Sequence, residues 1–235
     1  MDKLAPIEPA TVELVANGLG PLAQKVMFTG GAIVRFLLSD PVPPEVRATD
    51  DIDVVVEVNT YSQYVTEIVN SLKNMGFVED TNEGAPTCRW FFGSIKVDVM
   101  PTFGPPVGPI NRWAEPAFPH ALNHRLPGGT QIRVISAPYF LGTKLEALRQ
   151  RGGGDLTASH DLEDVIILVD GRPEIVEEVA SAEADLRDYV AEQLRDLLGS
   201  PEFEDALPGH LAADEASQAR QPTILRRLRA IAGGG

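Results

Sequence analysis

The chain has 235 residues, 43% of them hydrophobic, an ordinary fraction for a globular protein and enough for one large domain or two small ones. A net charge of −14 disfavours broad contact with nucleic acid, the single cysteine Cys88 excludes an internal disulfide framework, and no apolar run is long enough to span a bilayer. No positively charged leader precedes an apolar segment, so a cytoplasmic location is expected.

Residues 9 to 18 predict a short helix, and Val26-Met27-Phe28 a strand that runs into Thr29-Gly30-Gly31. Ala32 to Leu38 then predicts a helix, ended by Asp40-Pro41 and the proline-rich loop to Pro44. Strand, glycine turn and helix in that order put free backbone N–H groups and a positive dipole end at the turn, which suits an anion. Asp51 to Val58 predicts a strand. Side chains two apart on a strand share a face, so Asp51 and Asp53 project together while Ile52, Val54 and Val56 pack on the other side. A carboxylate inside such an apolar run is unfavourable unless it is paired or bound to metal.

A helix over about Ser62 to Asn74 follows, with Asn59 and Thr60 as capping candidates, and Gly76-Phe77-Val78-Glu79 begins another strand. Arg89 to Phe92 and Ile95 to Met100, separated by Gly93-Ser94, predict a β-hairpin that delivers Asp98 beside the strand of Asp51 and Asp53. Three carboxylates converging beside a glycine turn make an oxygen-rich site for Mg²⁺ and a nucleoside triphosphate. Residues 101 to 129, rich in Pro and Gly, predict a long loop that serves as a lid or a substrate contact, and Gln131 to Ile135 one more strand. His120 and His124 are four apart, but Pro119 and the glycines after Pro127 oppose the helix that would align them as ligands. Cys88, with no cysteine partner, reads as a packing residue.

From Ser136 onward the pattern is helical. Pro138 to Arg151 carries Phe140, Leu141, Leu145 and Leu148 on one side and ends at Gly152-Gly153-Gly154. Lys144 and Arg151 share a side of this helix, with Lys144 read as exposed. Asp161 to Val169, a longer Pro173 to Leu198, and a short basic Thr223 to Ile231 predict the remaining helices. The fold class is therefore α/β, with a small mixed sheet and helices over residues 1–136 and a helical C-terminal domain over 137–235. Residues 171 to 220 hold thirteen acidic and four basic side chains, a net of −9, and read as solvated helix faces. Basic residues gather upstream, at Arg125, Arg133, Lys144, Arg149 and Arg151.

Gly30-Gly31, then Arg47-x-Thr49-x-Asp51-Ile52-Asp53, then Asp98, resemble the minimal nucleotidyltransferase core. Lys144-Leu145-Glu146-Ala147-Leu148-Arg149-x-Arg151 followed by His160-Asp161-Leu162-Glu163-Asp164-Val165 is similar to the "K-x-x-A-x-x-x-R … D-x-x-D" signature of AbiEii-type nucleotidyltransferases, the toxin halves of bacterial toxin–antitoxin pairs. The resemblance covers about residues 26 to 170. It implies Mg²⁺-dependent transfer of a nucleoside monophosphate from an NTP to an acceptor hydroxyl, with release of pyrophosphate. Asp51 and Asp53 would bridge two metal ions, and Asp98 would hold the nucleophile-side ion and help draw off the proton. Thr29, Gly30, Gly31, Arg47, Thr49 and Arg151 would line the nucleotide, and Lys144 would stabilise charge on the leaving pyrophosphate. Asp161 or Asp164 would position Lys144 or touch the nucleotide, with Asp161 favoured. Ala32 stands where many relatives have Ser or Thr, which leaves Thr29 or Arg35 to replace that contact.

The resemblance makes tRNA the first acceptor to consider and a cognate antitoxin a partner. The alternatives are a small-molecule (aminoglycoside-type) or protein nucleotidyltransferase, and a non-catalytic protein that binds a nucleotide or a partner. A degenerate enzyme would be expected to lose metal carboxylates, and all three are present.

Overall fold

The computed structural model describes residues 7–102, 111–151 and 155–233. The chain divides into two compact units, Met1–Phe36 with Ala48–Ser136, and Leu37–Arg47 with Ala137–Gly235. No helix among the described residues is long and apolar enough to cross a membrane.

The first unit is built on a mixed sheet of β1 (Val26–Thr29), β2 (Asp51–Val56), β3 (Val78–Glu79), β4 (Arg89–Phe92), β5 (Ile95–Pro101), β6 (Leu122–Arg125) and β7 (Gln131–Val134), in the order β3-β4-β5-β2-β1-β7-β6. Parallel pairs β2/β5 and β1/β7 sit at its centre, and β2 runs antiparallel to β1. Ile52, Val54, Val97 and Val99 are fully buried, so the apolar alternation of β2 and β5 fixes which face their aspartates take. Helix α1 (Pro9–Gly18) starts with proline at its first turn and buries Val12, Val15 and Ala16, a spacing of three and four residues. After β2 the chain is helical through α3 (Tyr61–Gln63), a π-helical stretch (Tyr64–Val69) and α4 (Asn70–Asn74), and the Thr60 side chain caps it by accepting from the Gln63 amide.

Two local expectations change. Ala32 to Leu38 is not one helix but a 3₁₀ turn (Gly31–Ile33) leading into a single-turn helix α2 (Val34–Leu37). The loop expected over 101–129 contains a strand, β6, which pairs with β7 around a tight turn. Glu13 of α1 accepts from the amides of Gly128 and Thr130 at 2.7 and 3.0 Å, and so fastens that turn from outside its own sequence. Residues 103–110 of the expected loop lie outside the described residues.

The second unit is helical, with α5 (Ala137–Gln150), α6 (His160–Gly171), α7 (Ile175–Ala180), α8 (Ala184–Leu198), α9 (Pro201–Ala206), α10 (Glu215–Gln218) and α11 (Gln221–Ile231). Helix α6 is its core element. Leu162, Val165, Ile166, Ile167, Leu168 and Val169 are all buried, so it is apolar around most of its circumference. Residues 37–47 belong here because the amides of Ser39 and Asp40 donate to the Gly171 carbonyl at the end of α6, at 2.9 and 3.0 Å. A Cβ at Gly171 would meet Leu38 and Pro44 at 2.8 Å, which requires glycine at that crossing. The single helix expected over Pro173 to Leu198 is two, because the backbone opens at Glu183 (φ −56°, ψ 144°). Burial at Ile175 and Val179, then at Leu186 and Val190, keeps helical period across the break and hides it from the sequence. The glycines 152–154, expected to end the helix before them, lie outside the described residues.

Candidate active site

In the sheet unit the site is assembled by strand register. Asp53 pairs with Asp98 across parallel β2/β5 and with Thr29 across β1, so the turn after β1 and both carboxylates meet at one end of the central strands. Oxygens of Asp51, Asp53 and Asp98 all lie within 4.8 Å of one another. The Thr49 hydroxyl donates to Asp51 Oδ1 at 2.9 Å and holds that carboxylate in place. Gly30 adopts φ +75°, and a Cβ there would fall 1.9 Å from Asp53 Oδ2. Both the left-handed backbone and the close approach of the carboxylate therefore require glycine. Thr29 is buried, and Arg35 is engaged with Glu8 at 2.8 Å.

Arg89, which the sequence did not mark, completes this cluster. It stands opposite Asp98 across the β4/β5 hairpin. Its Nε and Nη2 donate to the two Asp98 oxygens at 2.9 and 2.8 Å, and Nη2 lies 3.7 Å from Asp51 Oδ2. The hydrogen bonds to Asp98 push the guanidinium pKa further above its already high ordinary value, against the opposing effect of burial. Next to the cluster, Asp50 pairs with Lys96, whose hydrogen bond holds the Asp50 carboxyl below its usual range. Burial, with the Asp98 charge adding to it, pushes the Cys88 thiol up to about 12, so Cys88 is an inert packing residue.

The residues present fit a hard divalent cation. The donor set is oxygen only and comes from adjacent strands, Asp98 is buried, and a guanidinium already lies against two of the three carboxylates as a stand-in cation.

The helical unit holds the second group of site residues. Asp161 and Asp164, three apart on α6, share a face beside Lys144 of α5. Lys144 Nζ lies 2.6 Å from Asp164 and 3.2 Å from Asp161, and 5.6 Å from the centre of the Phe140 ring. Each carboxylate also has its own arginine. Arg47 grips Asp164 in a bidentate pair at 2.8 and 3.2 Å, and Arg151, just past the end of α5, pairs with Asp161. Asp164 is completely buried and Lys144 is only 13% exposed, so Lys144 is not the exposed helix lysine that spacing suggested. Its partners are 17 and 20 residues away on another helix, beyond the reach of any periodicity argument. Ser159 caps α6 by accepting from the Leu162 amide, which sets the first turn that carries Asp161.

Of the residues singled out in the sequence, the sheet unit thus brings together Asp51, Asp53, Asp98, Gly30, Gly31, Thr29 and Thr49, and the helical unit Arg47, Lys144, Arg151 and Asp161. Asp164 is as closely tied to Lys144 as Asp161 is. The chain passes from Arg47 of one group to Asp51 of the other with three residues between them.

No curated protein matches the chain. The family model described as "Nucleotidyl transferase AbiEii toxin, Type IV TA system" matches residues 14–231, which span the carboxylate strands and the Lys144 helix alike. The chain belongs to the AbiEii family of nucleotidyltransferase toxins of type IV toxin–antitoxin systems.

Proposed function

We propose that the protein transfers a nucleoside monophosphate from an NTP to an acceptor hydroxyl in an Mg²⁺-dependent reaction that releases pyrophosphate. The observation that carries this reading is the convergence of Asp51, Asp53 and Asp98 against the Gly30 turn. Bound Mg²⁺ would supply charge neutralisation at the triphosphate and a lowered pKa for the acceptor hydroxyl. Asp51, Asp53 and Asp98 would hold it, and a carboxylate of this set would accept the hydroxyl proton. The Gly30-Gly31 turn, with no Cβ to obstruct it, would let backbone amides approach the phosphates.

Lys144 would place a positive charge at the triphosphate, with Arg151 beside it as a second cation. Asp161 and Asp164 would then act as positioning residues that fix the ammonium, and Arg47 would hold Asp164 in place. In this reading residues 1–136, apart from the segment 37–47 that packs with the helices, form the nucleotidyltransferase core, and residues 137–235 form a C-terminal domain that carries Lys144. The protein acts in the cytoplasm, tRNA is the acceptor, and a cognate antitoxin restrains it.

Incubating the protein with each labelled NTP and Mg²⁺, in turn with total cellular RNA, with protein alone and with an aminoglycoside, tests the reading. Label is expected on RNA in the size range of tRNA, and only when Mg²⁺ is present. Label on none of the acceptors, with no pyrophosphate released from any NTP, would overturn it.

A further inference from the structure

Among the described residues of the sheet unit, Lys96 pairs with Asp50 beside the carboxylate cluster, whereas Arg89 lies against the cluster itself. An arginine facing one carboxylate is commonplace, but this half-buried one lies against two of three clustered carboxylates, on the surface where a divalent cation would bind. Asp98 gives both oxygens to the guanidinium fork. Each carboxylate oxygen has a second lone pair, so Asp98 can serve a cation and Arg89 together, but the two positive charges would then sit a few ångströms apart. Partly buried groups screen such repulsion far less than water does.

We propose that Arg89 is a built-in counter-cation of the metal site. It shields the carboxylates in the metal-free protein and weakens divalent cation binding, so that the site fills more tightly when a nucleotide adds its own negative charge. With Arg89 in place the cluster carries a formal −2 in place of the −3 of three bare aspartates. A triphosphate restores the deficit several-fold. The device ties metal loading to nucleotide loading, which restrains idle metal binding in a protein whose activity is toxic. This inference rests on the metal-binding reading of Asp51, Asp53 and Asp98.

Calorimetric Mn²⁺ binding without nucleotide, on the parent, Arg89→Gln, Arg89→Lys and Asp53→Asn proteins, tests it. Arg89→Gln is expected to bind Mn²⁺ about tenfold more tightly or better, because one adjacent positive charge is gone. Its melting temperature in EDTA should fall below the parent's and recover in saturating Mn²⁺. Arg89→Lys, which keeps the charge but loses the fork, should stay within about threefold of the parent affinity. As a check independent of any variant's folding, Mg²⁺ titration of the parent should shift the Arg89 Nε–H resonance as the site fills. Equal or weaker Mn²⁺ affinity in Arg89→Gln, or an unmoved Arg89 resonance while Mg²⁺ binds, overturns the proposal. Mn²⁺ binding that is undetectable in both the parent and Arg89→Gln, or unchanged in Asp53→Asn, would instead remove the metal-binding reading beneath it.

Discussion

At the scale of single residues, the site uses groups whose removal should have different effects on stability and activity. Asp53 belongs to a cluster of like charges with oxygens within 4.8 Å of one another. Deleting it relieves repulsion within the cluster, and Asp53→Ala should stay folded while transfer falls about 10³-fold or more. Near-parent turnover of that variant in Mg²⁺, measured with labelled NTP, would contradict its role. Gly30→Ala should instead damage both properties. The backbone at φ +75° and ψ −171° alone makes an alanine unfavourable by about 1–3 kcal/mol, and its Cβ would drive the Asp53 carboxylate out of position. Denaturant midpoints and Mg²⁺ affinity measured side by side check this, and an alanine variant with parent values in both would refute the stated geometry. Lys144 differs again. It lies between two buried carboxylates, so Lys144→Ala should lose stability by about 1–3 kcal/mol as well as lowering kcat/KM for the NTP. Lys144→Arg retains the charge, and recovery of the melting temperature without recovery of kcat/KM would separate the structural part from the phosphate contact.

At the scale of elements, pairs between helices hold what periodicity alone leaves undetermined. Glu146 of α5 is buried, yet it accepts from Tyr189 of α8 at 2.6 Å, from Arg149 at 2.9 Å and from Gln150 at 2.8 Å. Burial opposes its charge, but these three hydrogen bonds prevail and hold the carboxyl below its ordinary value of 4.5. A carboxyl depressed on folding contributes stability that is fully present above its unfolded pKa and is lost as pH falls through the folded one. Urea midpoints should therefore decline for the parent as pH drops below about 4.5, with Glu146→Gln showing a shallower decline and lower stability at pH 7. Parallel pH profiles for the two proteins would exclude this pair as a source of acid lability. The same elements show what a sequence can reveal. The alternation Ile52, Val54 against Asp51, Asp53, and the hairpin around Gly93-Ser94, are local patterns, so the central strands and their carboxylates were legible. Arg89 was not, because its meaning comes from facing Asp98 across a hairpin, and no spacing rule distinguishes it from an exposed strand arginine. Strand β6 was hidden among prolines and glycines, since a four-residue edge strand has too few positions to show a period. Ties such as Arg47 to Asp164 span 117 residues and become visible only in the fold.

At the scale of the whole molecule, charge decides how an acceptor can approach. Residues 171 to 220, all in the helical unit, carry a net of −9, and a polyanion is repelled there. In the sheet unit the cations differ in how free they are. Arg133 donates to the Phe118 carbonyl and lies 5.5 Å above the Phe118 ring, so it is committed to packing. Arg125 is exposed on β6, the edge strand of the sheet, and can meet a phosphate without loss to the fold. If RNA is the acceptor, it is therefore held by few phosphate contacts. For about two such contacts on a single strand, the logarithm of affinity should fall with the logarithm of salt at a slope near −1.4. Arg125→Ala should remove roughly 0.7 from that slope and lower transfer to RNA, while NTP binding and melting temperature stay at parent values. Fluorescence anisotropy with labelled tRNA over a salt series, beside a nucleotide-binding titration, measures both. RNA affinity undetectable at low salt, together with label arriving on a protein or an aminoglycoside, would transfer the acceptor role to those substrates and leave the carboxylate chemistry of the sheet untouched.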